Sequence, residues 1–298
     1  MSAWYRLSVA WQRLMHSSYE KNGVFMTEIL KAIIFGIVEG ITEWLPISST
    51  GHMILLNEFL TLDVSAEFWD MFLVVIQLGA ILAVVVIYWN KLIPLSTKHG
   101  LHISRRKCKM WVKIIVASIP AGVVGILWDD VFTKYFYNYQ TVAIMLILVG
   151  VVFIIIERSN KNKIAKIDSI DDISYGQAFL IGVFQMIAAI FPGTSRSGST
   201  IVGSLMLGIS RTAAAEFTFF LAVPAMFGGS AIKILKYNGG FNSAEVALLA
   251  IGMIVAFVLS IIAIKFLMSY IKKHDFKVFG WYRIILGIAV IGYFLAAR

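Results

Sequence analysis

Pro46-Ile47-Ser48-Ser49-Thr50-Gly51-His52 and Pro192-Gly193-Thr194-Ser195-Arg196-Ser197-Gly198 each interrupt an apolar stretch near its middle, the first within roughly 28–60 and the second within roughly 176–210. A proline followed by small polar residues stops a helix, so each stretch reads as two half-length helices joined by a polar loop. Backbone of that kind survives at membrane depth only where protein or a water-filled cavity surrounds it. Each break therefore predicts a cavity.

The membrane follows from what surrounds the breaks. Of 298 residues, 59% are apolar and 14% charged, against about 45–50% and about 25% in a soluble domain, and the mean hydropathy is +0.82. Runs near 71–89, 112–128, 140–156, 213–235, 244–269 and 281–297 are each close to the ~20 apolar residues that a spanning helix needs. The net charge of +9, from 26 basic and 17 acidic residues, has to fit between those runs, which excludes a soluble nucleic-acid binder with a basic face. One cysteine, Cys108, excludes an internal disulfide framework and any cysteine-built metal site.

Segment 91–113 carries Lys91, Lys98, Arg105, Arg106, Lys107, Lys109 and Lys113 without an acidic residue, and the positive-inside rule places it in the cytoplasm. Counting spans from there puts 158–174, Arg211 and 265–283 inside as well, the last of these including Arg283. Arg196 is then the one basic residue expected within the membrane. In this topology the first broken stretch enters and leaves on the outside, and the second on the inside.

Opposite orientation is the property of an inverted repeat, and the halves are self-similar at an offset of 146 residues. That offset pairs Gly36 with Gly182, Glu39 with Gln185, Pro46 with Pro192, Ser48 with Thr194, Ser49 with Ser195 and Asp70 with Glu216. Inverted repeats with discontinuous helices hold their site near the bilayer midplane, at the repeat interface.

The two breaks carry compatible chemistry. Glu39 and Glu43 lie four residues apart on one helix face inside an apolar run, where carboxylates are costly and mark function. Together they suit a shared proton or a hard divalent cation. Ser48 or Ser49, and Thr194 or Ser195, are placed to cap the half-helices that follow. Two helix N-termini facing one cavity make an anion site, and Arg196 adds a permanently charged fork suited to phosphate. An arginine at that depth requires a counter-anion, from Glu39 or Glu43 at rest or from a bound polyanion. His52 follows Ser49 by three residues, so one helical turn brings imidazole and hydroxyl to the same side, as a nucleophile with its acid or base. Gly193-x-x-x-x-Gly198-Ser199 resembles a nucleotide-binding loop but has serine where lysine belongs, which excludes that assignment. Alternating-access transport shares the architecture, yet needs the anion cradle without a nucleophile.

Glu39-x-x-x-Glu43, Pro46-x-Ser48-Ser49-Thr50-Gly51-His52 and Pro192-Gly193-Thr194-Ser195-Arg196-Ser197-Gly198-Ser199-Thr200 closely resemble the signatures of the undecaprenyl-diphosphate phosphatase family, the bacitracin-resistance proteins, over about 27–298. The resemblance implies an all-α polytopic membrane protein of two inverted-topology repeats, each a re-entrant helix pair plus three transmembrane helices. The repeats would cover 27–157 and 175–298, with 158–174 a cytoplasmic linker. It implies hydrolysis of undecaprenyl diphosphate to undecaprenyl phosphate and inorganic phosphate, recycling the lipid carrier of cell-wall synthesis, with Mg²⁺ or Ca²⁺ as cofactor. A polyprenyl-phosphate transporter or flippase is the alternative. The expected partners are that lipid and the bilayer of a bacterial plasma membrane, with the site open to the outer face, no nucleic acid, and a homodimer as a further expectation. Glu39 and Glu43 would bind metal or manage protons, Ser49, His52 or a water would attack, and Arg196 would neutralise the diphosphate. Ser195, Ser197 and Thr200 would hold it, Thr50 and Gly193 would join the substrate site, and Ser48 and Thr194 would act as supporting caps.

Residues 1–26 have a different texture. Trp4, Leu7, Trp11 and Leu14 share one helical face, with Arg6 and Arg13 elsewhere, which suits an interfacial helix. An upstream extension before a start at Met26 is the other expectation.

Overall fold

A computed structural model describes residues 25–96 and 102–296; the expected interfacial helix at Trp4–Leu14 lies outside them. Helix α1 covers residues 25–42 and α2 Ser49–Phe59, the two halves of the first broken stretch. The chain continues through α3 (Ala66–Ile87), a short α4 (Trp89–Leu92), the two-residue strands β1 (Leu95–Ser96) and β2 (His102–Ile103), α5 (Arg105–Phe136) and α6 (Tyr139–Asn160). A linker with one 3-10 turn (Ile170–Asp172) leads to α7 (Tyr175–Ile190) and α8 (Arg196–Met206), the second broken stretch, then α9 (Arg211–Lys236), α10 (Ser243–Tyr270) and α11 (Lys277–Ala296). Six of these, α3, α5, α6, α9, α10 and α11, are long and apolar enough to span a membrane. The protein is an all-α, multi-pass membrane protein.

Helices begin where the sequence supplies a capping oxygen. Ser65, Asn138 and Ser210 accept from backbone N–H groups of the first turns of α3, α6 and α9. Ser174 with Gln177 and Asn242 with Glu245 close full capping boxes on α7 and α10. Outward faces carry isoleucine and leucine, among them Ile126, Leu127, Ile254 and Ile285, which lipid accommodates and water would not.

Packing between the long helices relies on small residues, as expected where lipid removes the hydrophobic drive between helices. A Cβ at Gly182 on α7 would stand 2.2 Å from the Ala117 carbonyl oxygen of α5, and one at Gly36 on α1 would stand 2.7 Å from the Gly252 carbonyl oxygen of α10. The first half-helix of each broken stretch thus packs against a spanning helix from the other half of the chain. On the expected cytoplasmic side, Lys113 donates to the Asp171 carbonyl at 2.6 Å and Arg106 pairs with the Asp171 carboxylate. These contacts fasten the linker to α5.

One expectation about charge fails. Arg283 does not belong to a cytoplasmic segment; it sits within α11, fully buried. Its neighbours in sequence, Lys277 to one side and an apolar run to the other, mark the edge of a span, and only its tertiary partners show that it is inside the protein.

Candidate active site

The two breaks fold into the same local structure. Ser48 and Ser195 are the N-caps of α2 and α8, accepting from Gly51 N–H at 3.3 Å and Gly198 N–H at 3.1 Å. Both hold positive φ, 74° and 67°, a conformation that costs a non-glycine residue of order 1–3 kcal/mol. Counted from the prolines, however, the caps are out of step. Pro46 is two residues before Ser48, whereas Pro192 is three before Ser195, and the extra residue is Gly193 at φ +89°. A Cβ there would approach the Val142 carbonyl oxygen to 2.6 Å. The 146-residue pairing therefore slips by one at the caps, and the first helical residues that correspond are Ser49 and Arg196.

Arg283 locks both strained loops from behind. Its guanidinium donates to the carbonyls of Gly193 at 2.8 Å, Thr194 at 2.9 Å, Pro46 at 3.3 Å and Met145 at 3.4 Å. A buried cation held by backbone carbonyls from two loops fixes each loop relative to the other, because every unmade bond would leave a carbonyl unsatisfied in a dry interior.

Between the caps lies a cavity of 190 Å³ lined by Glu43, Ser49, Thr50, Gly193, Ser195 and Arg196, together with residues of α3 and α9. Its volume equals that of about six waters at ≈ 30 Å³ each, a scale suited to a head group and not to a lipid chain. Glu43 organises it. One carboxylate oxygen accepts from Arg196 Nη2 at 2.8 Å and the other from the Ser49 hydroxyl at 2.5 Å. The counter-anion for Arg196 is thus Glu43. Glu39 is buried one helical turn away, and its Oε1 has no hydrogen-bond partner.

Not every candidate faces this cavity. His52 does not bond the Ser49 hydroxyl: its Nδ1 is 2.7 Å from the Ser48 carbonyl, its Nε2 is 2.7 Å from the Tyr282 hydroxyl, and the two rings stack at 5.6 Å. A carbonyl only accepts, so Nδ1 carries the proton and Nε2 accepts from Tyr282. Ser197 and Thr200 are turned away from the cavity and buried. The Ser197 hydroxyl donates to the Glu43 carbonyl at 3.2 Å, joining α8 to the end of α1, and Thr200 Oγ1 bonds the Arg196 carbonyl and Thr218. The Thr194 hydroxyl donates to the Phe191 carbonyl at 2.7 Å. These residues shape the loops that Ser49, Ser195 and Arg196 project from.

Sequence reasoning passed over three residues here: Arg283, Tyr282 and Gln77, the last lining the cavity from α3. A glutamine within the apolar run 71–89 was a readable signal for the third. Nothing local distinguishes the other two, whose partners lie far away in the chain.

Comparison with known proteins shows the family. Residues 32–289 match the family described as bacitracin resistance protein BacA. The chain is 64% identical to an undecaprenyl-diphosphatase of Desulfitobacterium hafniense, an alignment covering 91% of this chain and 98% of that protein. It is 63% identical to undecaprenyl-diphosphatase 1 of Clostridium acetobutylicum (90% and 98% covered) and 59% identical to an undecaprenyl-diphosphatase of Enterococcus faecalis (89% and 96%). With Glu43, Ser49 and Arg196 converging between two capped half-helices, and with matches that run nearly end to end, the chain belongs to the BacA bacitracin-resistance family.

Proposed function

We propose that this protein is an undecaprenyl-diphosphatase, an integral membrane hydrolase that converts undecaprenyl diphosphate to undecaprenyl phosphate and inorganic phosphate. The observation that carries this reading is the Glu43 carboxylate joined at once to the Ser49 hydroxyl and the Arg196 guanidinium. Transport needs an anion cradle; a hydroxyl bonded to a carboxylate inside that cradle supplies a nucleophile with its base.

In this mechanism the diphosphate enters between the N-termini of α2 and α8 and takes Arg196 as its partner, which leaves Glu43 free to accept a proton. The Ser49 oxygen attacks the terminal phosphorus as its proton passes to Glu43, and the bond to the bridging oxygen breaks, so undecaprenyl phosphate leaves. Water then hydrolyses the phosphoserine, and Ser49 regains its proton. Backbone N–H groups at both helix starts stabilise the equatorial oxygens, where charge develops. His52 holds the Ser48 cap from outside the cavity.

Glu39, with the Glu43 oxygen that Arg196 gives up, would hold the divalent cation, Mg²⁺ or Ca²⁺, and the other Glu43 oxygen would stay with Ser49. The unpartnered Glu39 Oε1 beside a second carboxylate fits a hard ion that draws its remaining ligands from phosphate oxygens and water. No group of three or more ligating side chains exists among the described residues, so the substrate completes the site. Bound there, the ion would neutralise charge on the diphosphate.

The same proposal includes two inverted repeats, a bacterial plasma membrane location and a cavity open to the outer face. The matching strained caps and the reciprocal packing of α1 on α10 and α7 on α5 support the repeats; the basic segment 91–113 supports the orientation. A homodimer belongs to the proposal too, and analytical ultracentrifugation in detergent checks it. The test of function is direct. Purified protein in detergent should release inorganic phosphate from a long-chain polyprenyl diphosphate, in a manner that depends on divalent metal and on Glu39. Folded protein that releases none would favour the transporter.

A further inference from the structure

A second cavity, of 530 Å³, lies at the opposite end of α8 from Arg196, under the linker that joins α6 to α7. Ten residues of α8 separate the two, about 15 Å at 1.5 Å per residue. Lys163, Lys166, Arg211 and Lys272 contribute four cations to its wall, against one carboxylate, Glu157. That carboxylate is already engaged: Arg211 grips it through Nε and Nη2, and the Phe276 N–H donates to it at 3.0 Å. Lys163 meets the Ser159 hydroxyl at 3.2 Å. Lys166 and Lys272 have no carboxylate in ion-pair range among the described residues, and the Lys166 stem lies across the turn at Gly208.

The cavity sits where apolar helices end. Asn160 closes α6, Met206 closes α8 and Arg211 opens α9, so its mouth is level with the membrane surface on the side that the positive-inside rule makes cytoplasmic. Its rim also carries unexpected apolar surface: Ile164 is 93% exposed and Met206 59%. Three exposed ammonium groups around one mouth raise the positive potential there and attract an anion, and an exposed isoleucine beside them offers a contact for hydrocarbon.

We propose that this cavity binds the phosphate head group of an anionic lipid of the cytoplasmic leaflet, with Lys163, Lys166 and Lys272 on the phosphate and Ile164 and Met206 against the first methylenes of the chains. The site is separate from the reaction centre and shares no residue with it. A free phosphate would satisfy the lysines and leave the apolar rim unused.

Native mass spectrometry of the full chain released from detergent micelles tests this with dioleoylphosphatidic acid, dioleoylphosphatidylcholine and inorganic phosphate as probes. Phosphatidic acid should be retained in preference to phosphatidylcholine, and equally by wild type and Arg196→Ala. The triple variant Lys163→Ala/Lys166→Ala/Lys272→Ala should bind it about 100-fold more weakly, each lysine near a charged surface contributing a factor of roughly five. Ile164→Asp, at a side chain too exposed to matter for folding, should also weaken retention while unfolding at the wild-type temperature. Equal retention by the lysine variant, loss of retention in Arg196→Ala alone, or displacement of the lipid by equimolar inorganic phosphate would overturn the assignment.

Discussion

The Ser49 hydroxyl lies 2.5 Å from Glu43 Oε2, while the other oxygen of the same carboxylate takes Arg196 at 2.8 Å. The proposed nucleophile and phosphate ligand are the first residues of two helices that arrive from different halves of the chain, and one carboxylate holds both. Glu43→Gln should therefore lower kcat by about 10²–10⁴, the range of a lost general base. Ser49→Ala should cost at least as much, and the double variant no more than the worse single one, since the two act as a unit. Rapid-quench turnover should trap a phosphoryl group on Ser49; trapping it elsewhere would remove that residue from the role.

Arg196→Lys keeps the charge and loses the fork. The lysine can still pair with Glu43, so thermal stability should stay near wild type, but a single ammonium cannot span two phosphate oxygens. A fall of at least about tenfold in kcat/KM is expected, read from phosphate release across substrate concentrations.

Arg283 presents a different balance, because it does not line the cavity and yet binds carbonyls of both loops that make it. Replacing it with leucine leaves Pro46, Gly193 and Thr194 without their donor, at about 1–3 kcal/mol for each carbonyl that finds no other. The variant should unfold at a clearly lower temperature in detergent and lose activity together with stability. Wild-type stability in Arg283→Leu would mean that the loops hold their positive φ without help.

Much of this was legible in the sequence because the membrane simplifies the code. Spans of about 20 apolar residues and two Pro/Ser breaks stand out in any linear reading, and Glu39, Glu43 and Arg196 stand out because charge at that depth is costly. What stayed hidden depends on tertiary contact. Arg283 reads as the flank of a span because it is the charge nearest to the apolar run that follows, whereas its carbonyl partners come from positions 46, 145, 193 and 194. His52 shares a helical turn with Ser49, but the stacking face of Tyr282 draws the imidazole outward. The register slip at Gly193 is likewise invisible without backbone angles, and it alone reveals that Ser49 corresponds to Arg196.

Tyr282 supports the α2 cap through His52. Its hydroxyl donates to His52 Nε2 while the protonated Nδ1 holds the Ser48 carbonyl, at the residue that caps α2 with φ 74°. The imidazole thus braces a strained cap one residue before Ser49, the proposed nucleophile. Tyr282→Phe keeps the stacked ring and deletes one hydrogen bond, worth about 0.5–1.5 kcal/mol, so turnover should fall by less than about tenfold. Tyr282→Ala removes the stack as well and should cost more, and His52→Ala, which removes the bond to Ser48 itself, should cost most and lower the unfolding temperature. A histidine acting as nucleophile would behave otherwise: freeing Nε2 in Tyr282→Phe would leave or raise the rate, and quenching would label His52. Measuring turnover, unfolding temperature and the labelled residue in the three variants separates the two roles.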